Sequence, residues 1–411
     1  MEFLCILNVD DYHDIHEARH PATTSLHHVS HMATIIVNTP PVFAIKQFTN
    51  ENFHIHNPLI INITALCDTL TYQYMPHFGF SYADQRLFWY DIPDTTKMNA
   101  TDLEDWLTVH VYDPKINCTK NQRSMEYVKL VDLIPLDLKS TKQYLEALQV
   151  LFNTSPIKDY LQQNVIPVPA DFPGQVYIRS AIIQKLKGNN NIPNEILGII
   201  PMLGPLHISL NSCEILVMKY WLFFDKLWKA VIGQWKKLAA KPKLWRINLI
   251  LYITYSTWLL IKTKVIQKFQ TSKDIEYRTF IDLLDNLIPL TLEIYANLFR
   301  GGFFDYYIES IFHIWCLFRR MRRKNYDEAP LIFLSDIIYW ETIGHPLYEC
   351  MRNNLPLFNE YFVENFHSSL RRQTSHKILN HEGLRKDAFV VDALRKENNF
   401  SNSYVQKEQY P

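Results

Sequence analysis

The chain opens on a short apolar run, Phe3-Leu4-Cys5-Ile6-Leu7-Asn8-Val9, which passes without Gly or Pro into Asp10 and Asp11. A run of that length predicts a buried strand that delivers acids at its carboxyl end, before a polar, His-rich turn from Tyr12 to His31. The run Met32 to Val37 is β-branched and stops at Pro40-Pro41, while Leu59 to Leu66 suits either strand or helix. Residues 76–125 mix short aromatic runs with Asp, Pro, Asn and Thr and carry no assignment. Tyr144, Leu145, Leu148, Leu151 and Phe152 recur at helical spacing, which predicts a helix over Thr141 to Phe152. Val165 to Asp171 is a second apolar stretch ending in an acid, although Pro167 and Pro169 make it a poor central strand. A helix from Gln175 to Leu186, a break at Gly188-Asn189-Asn190-Asn191, and the run Ile196 to Leu203 closing in Gly204-Pro205-Leu206-His207 complete the alternating part.

From about Leu210 to Asn353 the period is helical alone: Cys213 to Trp235, Leu244 to Phe269, Asp274 to Phe299 ahead of Gly301-Gly302, Phe303 to Lys324, and Ala329 to Trp340. Leu355 to Thr374 predicts one more helix, with Phe358, Phe362, Phe366 and Leu370 as its apolar stripe and Glu364, His367, Ser368 and Arg371 on other faces. The most apolar segment, Ile247 to Ile261, falls short of the roughly 20 residues that span a bilayer, so a buried bundle helix is expected and no membrane partner. Beyond Ser375 the sequence is polar and a loosely held tail is expected.

Composition narrows the class. With 411 residues, 47% apolar and 14% aromatic, the chain is long enough for two domains or for one domain with a large insertion. Six cysteines without a Cys-x-x-Cys pair argue against a disulfide framework or a zinc ribbon and for reduced thiols. The first apolar run is interrupted by Asp10 and Asp11, so it is not read as a signal peptide, and an intracellular setting is expected. The zero net charge hides a separation: residues 1–171 hold 11 Lys/Arg and 20 Asp/Glu, a net of −9, whereas residues 215–270 hold 11 Lys/Arg and one acid, a net of +10. Such a division suits one region that handles cations and another that faces a polyanion.

Four short motifs carry a resemblance: Val9-Asp10-Asp11-Tyr12-His13-x-Ile15-His16, Pro169-Ala170-Asp171-Phe172-Pro173-Gly174-Gln175, Gly204-Pro205-Leu206-His207 and Glu364-Asn365-Phe366-His367-Ser368. Together they resemble transposon-derived fungal proteins related to DDE transposases of the hAT and Kyakuja-Dileera-Zisupton groups. That resemblance implies an α/β fold, a ribonuclease-H-like mixed sheet flanked by helices and interrupted by a large all-helical insertion. The division expected is a first core part over 1–209, the insertion over 210–354, a core-completing helix over 355–375 and a polar, partly disordered tail over 376–411. It also implies three catalytic acids: Asp10 or Asp11 at the first strand, Asp171 after the fourth, and Glu364 on the late helix, with His207 beside them.

Phosphodiester cleavage or strand transfer needs a deprotonated water or 3′-hydroxyl and a stabilised leaving oxyanion. Two Mg²⁺ or Mn²⁺ ions held by carboxylates supply both. Between the first two acids, alternation places Leu4, Ile6, Asn8 and Asp10 on one face and Cys5, Leu7, Val9 and Asp11 on the other. Both faces are apolar, and Asp10, which directly continues the run, is placed ahead of Asp11. Taken singly, Asp171 reads more readily as a turn acid and Glu364 as part of a solvated face, while His207 reads equally as a core histidine; it is their order together that points to a site. His13, His16 and His20, among six histidines in the first 31 residues, suggest a zinc alternative.

Lys236, Lys237, Lys241, Lys243 and Arg246, with Arg371 on the late helix, are the expected nucleic-acid surface. Arg319, Arg320, Arg322, Arg323 and Lys324 form a second cluster that also reads as a nuclear import signal. The expected partners are DNA and, where the chain self-assembles, further copies of it. Transposases of this type carry a DNA-binding module ahead of the catalytic core, whereas here the first expected strand starts at Phe3. The expectation is therefore a fragment or a domesticated remnant, either active on DNA or a catalytically inactive binding module.

Overall fold

The computed structural model describes residues 2–16, 28–47, 54–56, 62–76, 122, 124–269, 272–374 and 380–397. The first apolar run forms strand β1, Ile6–His16, antiparallel to β2, His28–Asn38, which is antiparallel in turn to β3, Val128–Ile134. β1 therefore does not end at the two acids: Asp10 faces Thr34 and Asp11 faces Ala33 in the ladder, and the pairing continues to His16 and His28. Tyr12 to His16 and His28 to His31, expected as a turn, are the two arms of this ladder, joined by cross-strand pairing that their polar sequence does not announce; residues 17–27 lie outside the described residues.

β4, Ile166–Ala170, and β5, Ile199–Leu203, form a separate parallel pair. β1 runs alongside β4, giving the spatial order β3-β2-β1-β4-β5, yet no ladder joins β1 to β4. The prolines explain the break. Asn8 Nδ2 on β1 donates to the Pro169 carbonyl at 3.2 Å, so that residue presents its backbone toward β1. The N–H and C=O of one strand residue point the same way, hence Pro167 and Pro169 both turn a missing donor toward β1. β4 is a central strand all the same, with all five residues buried.

Helices cover the two faces of this sheet. On the face of Cys5, Leu7 and Val9 lie α2, Thr141–Phe152, capped by Ser140, then α3, Ser155–Leu161, and α4, Phe172–Leu186. On the face of Leu4 and Ile6 the core runs on into α5, Pro205–Lys219, α6, Trp221–Ile232, α7, Leu244–Phe269, and α8, Ile275–Asp282, which continues through two π-helical turns into α9, Tyr295–Gly301. α10, Phe304–Met321, α11, Ala329–Thr342, and α12, Pro346–Asn354, complete this group, against which the short α1, Ile63–Asp68, also packs. The helical stretch packs on the strands: one apolar cluster holds Leu4, Ile6, Ile200 and Met202 together with Ile250, Tyr295 and Phe318.

Three further expectations change. Leu355 to Thr374 is not one helix; a 3₁₀ turn at Leu355–Leu357 precedes α13, Tyr361–Thr374, and Asn359 Oδ1 accepts from the Tyr361 N–H at the break between them. Within the expected polar tail, α14, His381–Glu397, packs Leu384, Ala388 and Val391 against Tyr12, Met32 and Leu130. That stripe at helical spacing outweighs the polar composition, and Arg385 adds a bidentate pair to Asp132 of β3 at 2.6 and 2.9 Å. Finally, α7 is 26 residues long and, by length and composition, is apolar enough to cross a membrane. One stripe, Ile247, Ile250, Leu251, Thr254, Tyr255 and Trp258, is buried in the bundle, while Leu249 and Leu260 are exposed.

Asn8, fully buried, is the side chain that joins the two sheets: its Nδ2 also donates to the Asn359 carbonyl at 3.1 Å, just ahead of α13. Asn8→Ala leaves two buried carbonyls without that donor, at roughly 1–3 kcal/mol of unmet desolvation for each group so orphaned. The expected outcome is a loss of about 2 kcal/mol or more in urea unfolding; a midpoint unchanged from the parent would show that the junction does not depend on this amide.

Candidate active site

The even-numbered face of β1 carries Asp10 into a cleft between β4, α5 and α13. Its Oδ1 accepts from the Asp11 N–H at 2.9 Å, which fixes the rotamer, and its Oδ2 lies 3.8 Å from His367 Nδ1 on α13. His367 is in turn anchored by Nε2 to Thr34 Oγ1 at 2.8 Å, and Thr34 is the ladder partner of Asp10. Asp171 sits immediately after β4 as the N-cap of α4, its Oδ1 accepting from the Gly174 N–H at 2.9 Å. Glu364, on the first turn of α13, places Oε2 3.9 Å from His367 Nδ1 and Oε1 3.7 Å from His207 Nε2.

His207 stands at the start of α5, where its backbone N–H donates to Glu360 Oε1 at 2.8 Å and its Nδ1 lies 3.3 Å from the same oxygen. Glu360 is buried, because the break before α13 turns it inward instead of leaving it on a helix face. Its carboxylate rests directly on Gly204, where a Cβ would come within 2.5 Å of Oε1; only glycine allows that approach. Its second oxygen, Oε2, is buried without a hydrogen bond.

Four carboxylates thus meet in one cleft, and the electrostatics follow. Burial raises the Asp10 carboxyl well above its ordinary value, and the charges of Glu364 and Asp171 raise it further. Asp171 is raised too, by burial first, against the pull of the Gly174 N–H. Burial works against a charged His207, but the Glu360 hydrogen bond and the charges of Glu360, Asp10 and Asp171 overcome it and lift the imidazole to about 10.

Glu364 therefore lies beside His207, and Asp10 and Glu364 lie around His367, with Asp171 within electrostatic reach of Asp10, His207 and Glu364. Asp11 is not among them: it occupies the opposite face of β1, 3.0 Å from His31 Nδ1. Of the expected nucleic-acid residues, the lysines lie away from the acids, whereas Arg371 sits over Tyr12, whose ring meets that of His367. Lys236, Lys237, Lys241 and Lys243 are exposed on the connection between α6 and α7, Lys241 3.7 Å from Glu214 of α5 and Arg246 over the Trp245 ring at 5.1 Å. Glu214 is seven residues beyond His207, so Lys241 stands about 10 Å along the helix axis from the cleft. Arg371 is exposed on α13, over the Tyr12 ring at 5.2 Å. In the second basic cluster Arg319 pairs with Asp327, Arg320 with Asp282, and Arg323 with Glu214.

Two residues of the cleft escaped the sequence reading. His367 had a visible signal, since Glu364-x-x-His367 is an i, i+3 pair that must share a helix face. Glu360 had none, because its inward course depends on the helix break. Asp10, Glu364 and His367 form a donor group whose ligand atoms lie within 4.8 Å of one another. Hard carboxylate oxygens, a partly exposed Glu364 and a buried unbonded Glu360 oxygen fit a divalent cation. Comparison with family models, curated proteins and solved structures finds no match.

The folded-state value of His207 lies above its ordinary value of 6.5, so the imidazolium contributes stability that is complete below about pH 6.5 and is lost as pH rises through about 10. Glu360→Gln removes the partner that raises it. In metal-free buffer the melting temperature of the parent should exceed that of Glu360→Gln most near pH 6–7, with the difference shrinking toward pH 10; a difference independent of pH would show that Glu360 contributes packing alone.

Proposed function

We propose that this chain is a transposase-derived protein with a ribonuclease-H-like core, acting on DNA by metal-dependent phosphodiester cleavage or strand transfer. The observation that carries the reading is the approach of Asp10 and Glu364, from β1 and α13, around His367, with Asp171 at the end of β4 within electrostatic reach of both. Support for the core comes from three antiparallel strands continued by a parallel pair in the order β3-β2-β1-β4-β5. Mg²⁺ or Mn²⁺, as a pair of ions held by Asp10, Asp171 and Glu364 with His367 at its edge, would supply Lewis acidity and a water or 3′-hydroxyl of lowered pKa. The chain's own groups do the rest. Glu360 fixes the His207 ring so that Nε2 faces Glu364 and the cleft, where a protonated imidazole donates to a phosphate oxygen or a departing oxyanion. Asp171, locked as a helix cap, and Asp10, locked in a ladder, hold their carboxylates with little freedom left to lose. A DNA substrate places the protein in the nucleus.

A non-catalytic binding module is the second reading, and one observation favours it. His207, raised by Glu360 and lying 3.7 Å from Glu364, is an internal cationic partner of these acids without a metal.

Incubation of the protein with a labelled DNA duplex and Mg²⁺ or Mn²⁺ separates the two. Cleavage or strand transfer that disappears on chelation and falls at least about 100-fold in Asp171→Asn supports the enzyme; metal-independent binding with no cleaved product at any metal concentration supports the module. The basic surface has its own test. Changing Lys236, Lys237, Lys241 and Lys243 together to Gln should weaken DNA binding and reduce the slope of log K against log salt by roughly 3, given about 0.9 per phosphate contact. An unchanged slope would assign these lysines to solubility.

A further inference from the structure

The face of β1 turned away from the acidic cleft carries a second group of donors, in which the proposed DNA chemistry has no part. Asp11 of β1, His31 of β2 and Asp137 from the connection between β3 and α2 each bring one donor atom to within 4.8 Å of the others. His31 Nδ1 lies 3.0 Å from Asp11 Oδ2 and 3.8 Å from Asp137 Oδ1. These separations bracket the edge of about 3.3 Å that a tetrahedron has when its metal–ligand bonds are about 2.0–2.1 Å.

A simple ion pair between Asp11 and His31 leaves the second carboxylate unexplained. Asp137 Oδ1 is a buried atom with no hydrogen bond, while its other oxygen pairs with Lys139 Nζ at 2.6 Å. The lysine orients the carboxylate, and the unbonded oxygen remains on the side of His31. The side chains are 16%, 26% and 31% exposed for Asp11, His31 and Asp137, so an ion can enter from solvent. The frame is rigid as well, since the β1–β2 ladder and the short path from β3 to α2 set all three positions. One imidazole with two carboxylates is a donor set that suits Zn²⁺, which accepts nitrogen and oxygen in a small coordination number.

We propose that Asp11, His31 and Asp137 form a zinc site, with water completing the tetrahedron. Bound there, zinc ties β1 to β2 and to the segment leading into α2 directly behind Asp10, bracing the strand that carries the first acid of the cleft.

The test is calorimetric titration of the full chain with Zn²⁺ alone, for the parent and for Glu364→Gln, which removes a donor from the cleft on the opposite face. Glu364→Gln is expected to keep one zinc per chain, with an affinity within twofold of the matching parent site. On that background His31→Asn and Asp137→Asn should each weaken it at least tenfold. Zinc should also raise the melting temperature of Glu364→Gln and not that of Asp137→Asn on the same background. Absence of zinc binding by the parent, full affinity in Asp137→Asn, or loss in Glu364→Gln would overturn the proposal, the last by moving the ion to the cleft. Should His31→Asn fail to fold by circular dichroism, Asp137→Asn, the most exposed of the three positions, decides alone.

Discussion

Four carboxylates that share a buried cleft repel one another, and the structure is arranged to keep them there. Each is held by a different device: Asp10 by a strand ladder, Asp171 by its own helix cap, Glu360 by a helix break over Gly204, and Glu364 by the first turn of α13. None of these devices depends on the charge of another acid, so the group persists although burial and mutual repulsion raise Asp10 and Asp171 above their ordinary values. A site whose acids resist ionisation is a site that gains when a cation arrives. The two histidines serve the cleft in different ways. His367 is tied to Thr34 and completes the donor group of Asp10 and Glu364, whereas His207 carries a charge of its own against Glu360.

The helical region contributes geometry to this cleft as well as mass. Because Leu4 and Ile6 of β1 share a cluster with Ile250, Tyr295 and Phe318, moving the helices would move the strand that carries Asp10. α5 is the direct link. Its first turn holds His207; one turn on, the Asn211 side chain donates to the His207 carbonyl at 2.8 Å and meets Arg323, which also pairs with Glu214 at 2.6 Å. Part of the positive charge between residues 215 and 324 is thus spent in fixing α5. The lysines between α6 and α7 remain exposed, which is the distinction that a charge count along the chain cannot make.

How much of this was legible in the sequence depended on whether the determinant was local. The helix over Thr141 to Phe152 follows from periodicity and has those boundaries, whereas the apolar stretch Val165 to Asp171, a poor strand by its prolines, forms a strand over Ile166–Ala170 with Asp171 capping the next helix. Alternation placed Asp10 and Asp11 on opposite faces, yet it took the helices packed on each face to say which one met Asp171 and Glu364. The extension of β1 to His16 was hidden because polar residues fill both arms beyond Tyr12, and only cross-strand pairing distinguishes an arm from a turn. α14 was hidden for a related reason: three apolar positions at helical spacing are too few to stand out in a polar stretch, and they matter only because Tyr12, Met32 and Leu130 are there to cover them.

The prolines of β4 show why a poor strand by propensity can still be the right one. A central strand normally gives ladder bonds to both neighbours, and Pro167 and Pro169 forfeit those toward β1. What replaces them is a single buried amide, Asn8, which reaches the Pro169 carbonyl and the chain just before α13. The exchange has a geometrical consequence. A ladder would bind β1 and β4 to one register and would link the position of Asp171 to every residue of the pair; with the ladder absent, Asp171 takes its place from β5, from its own cap on α4 and from one side chain. That same side chain sets the start of α13 and hence Glu360 and Glu364. Asn8 therefore connects the strand of the first acid, the strand preceding the second and the segment bearing the other two, which is why the loss of one amide is expected to disturb the whole cleft and not merely the edge of a sheet.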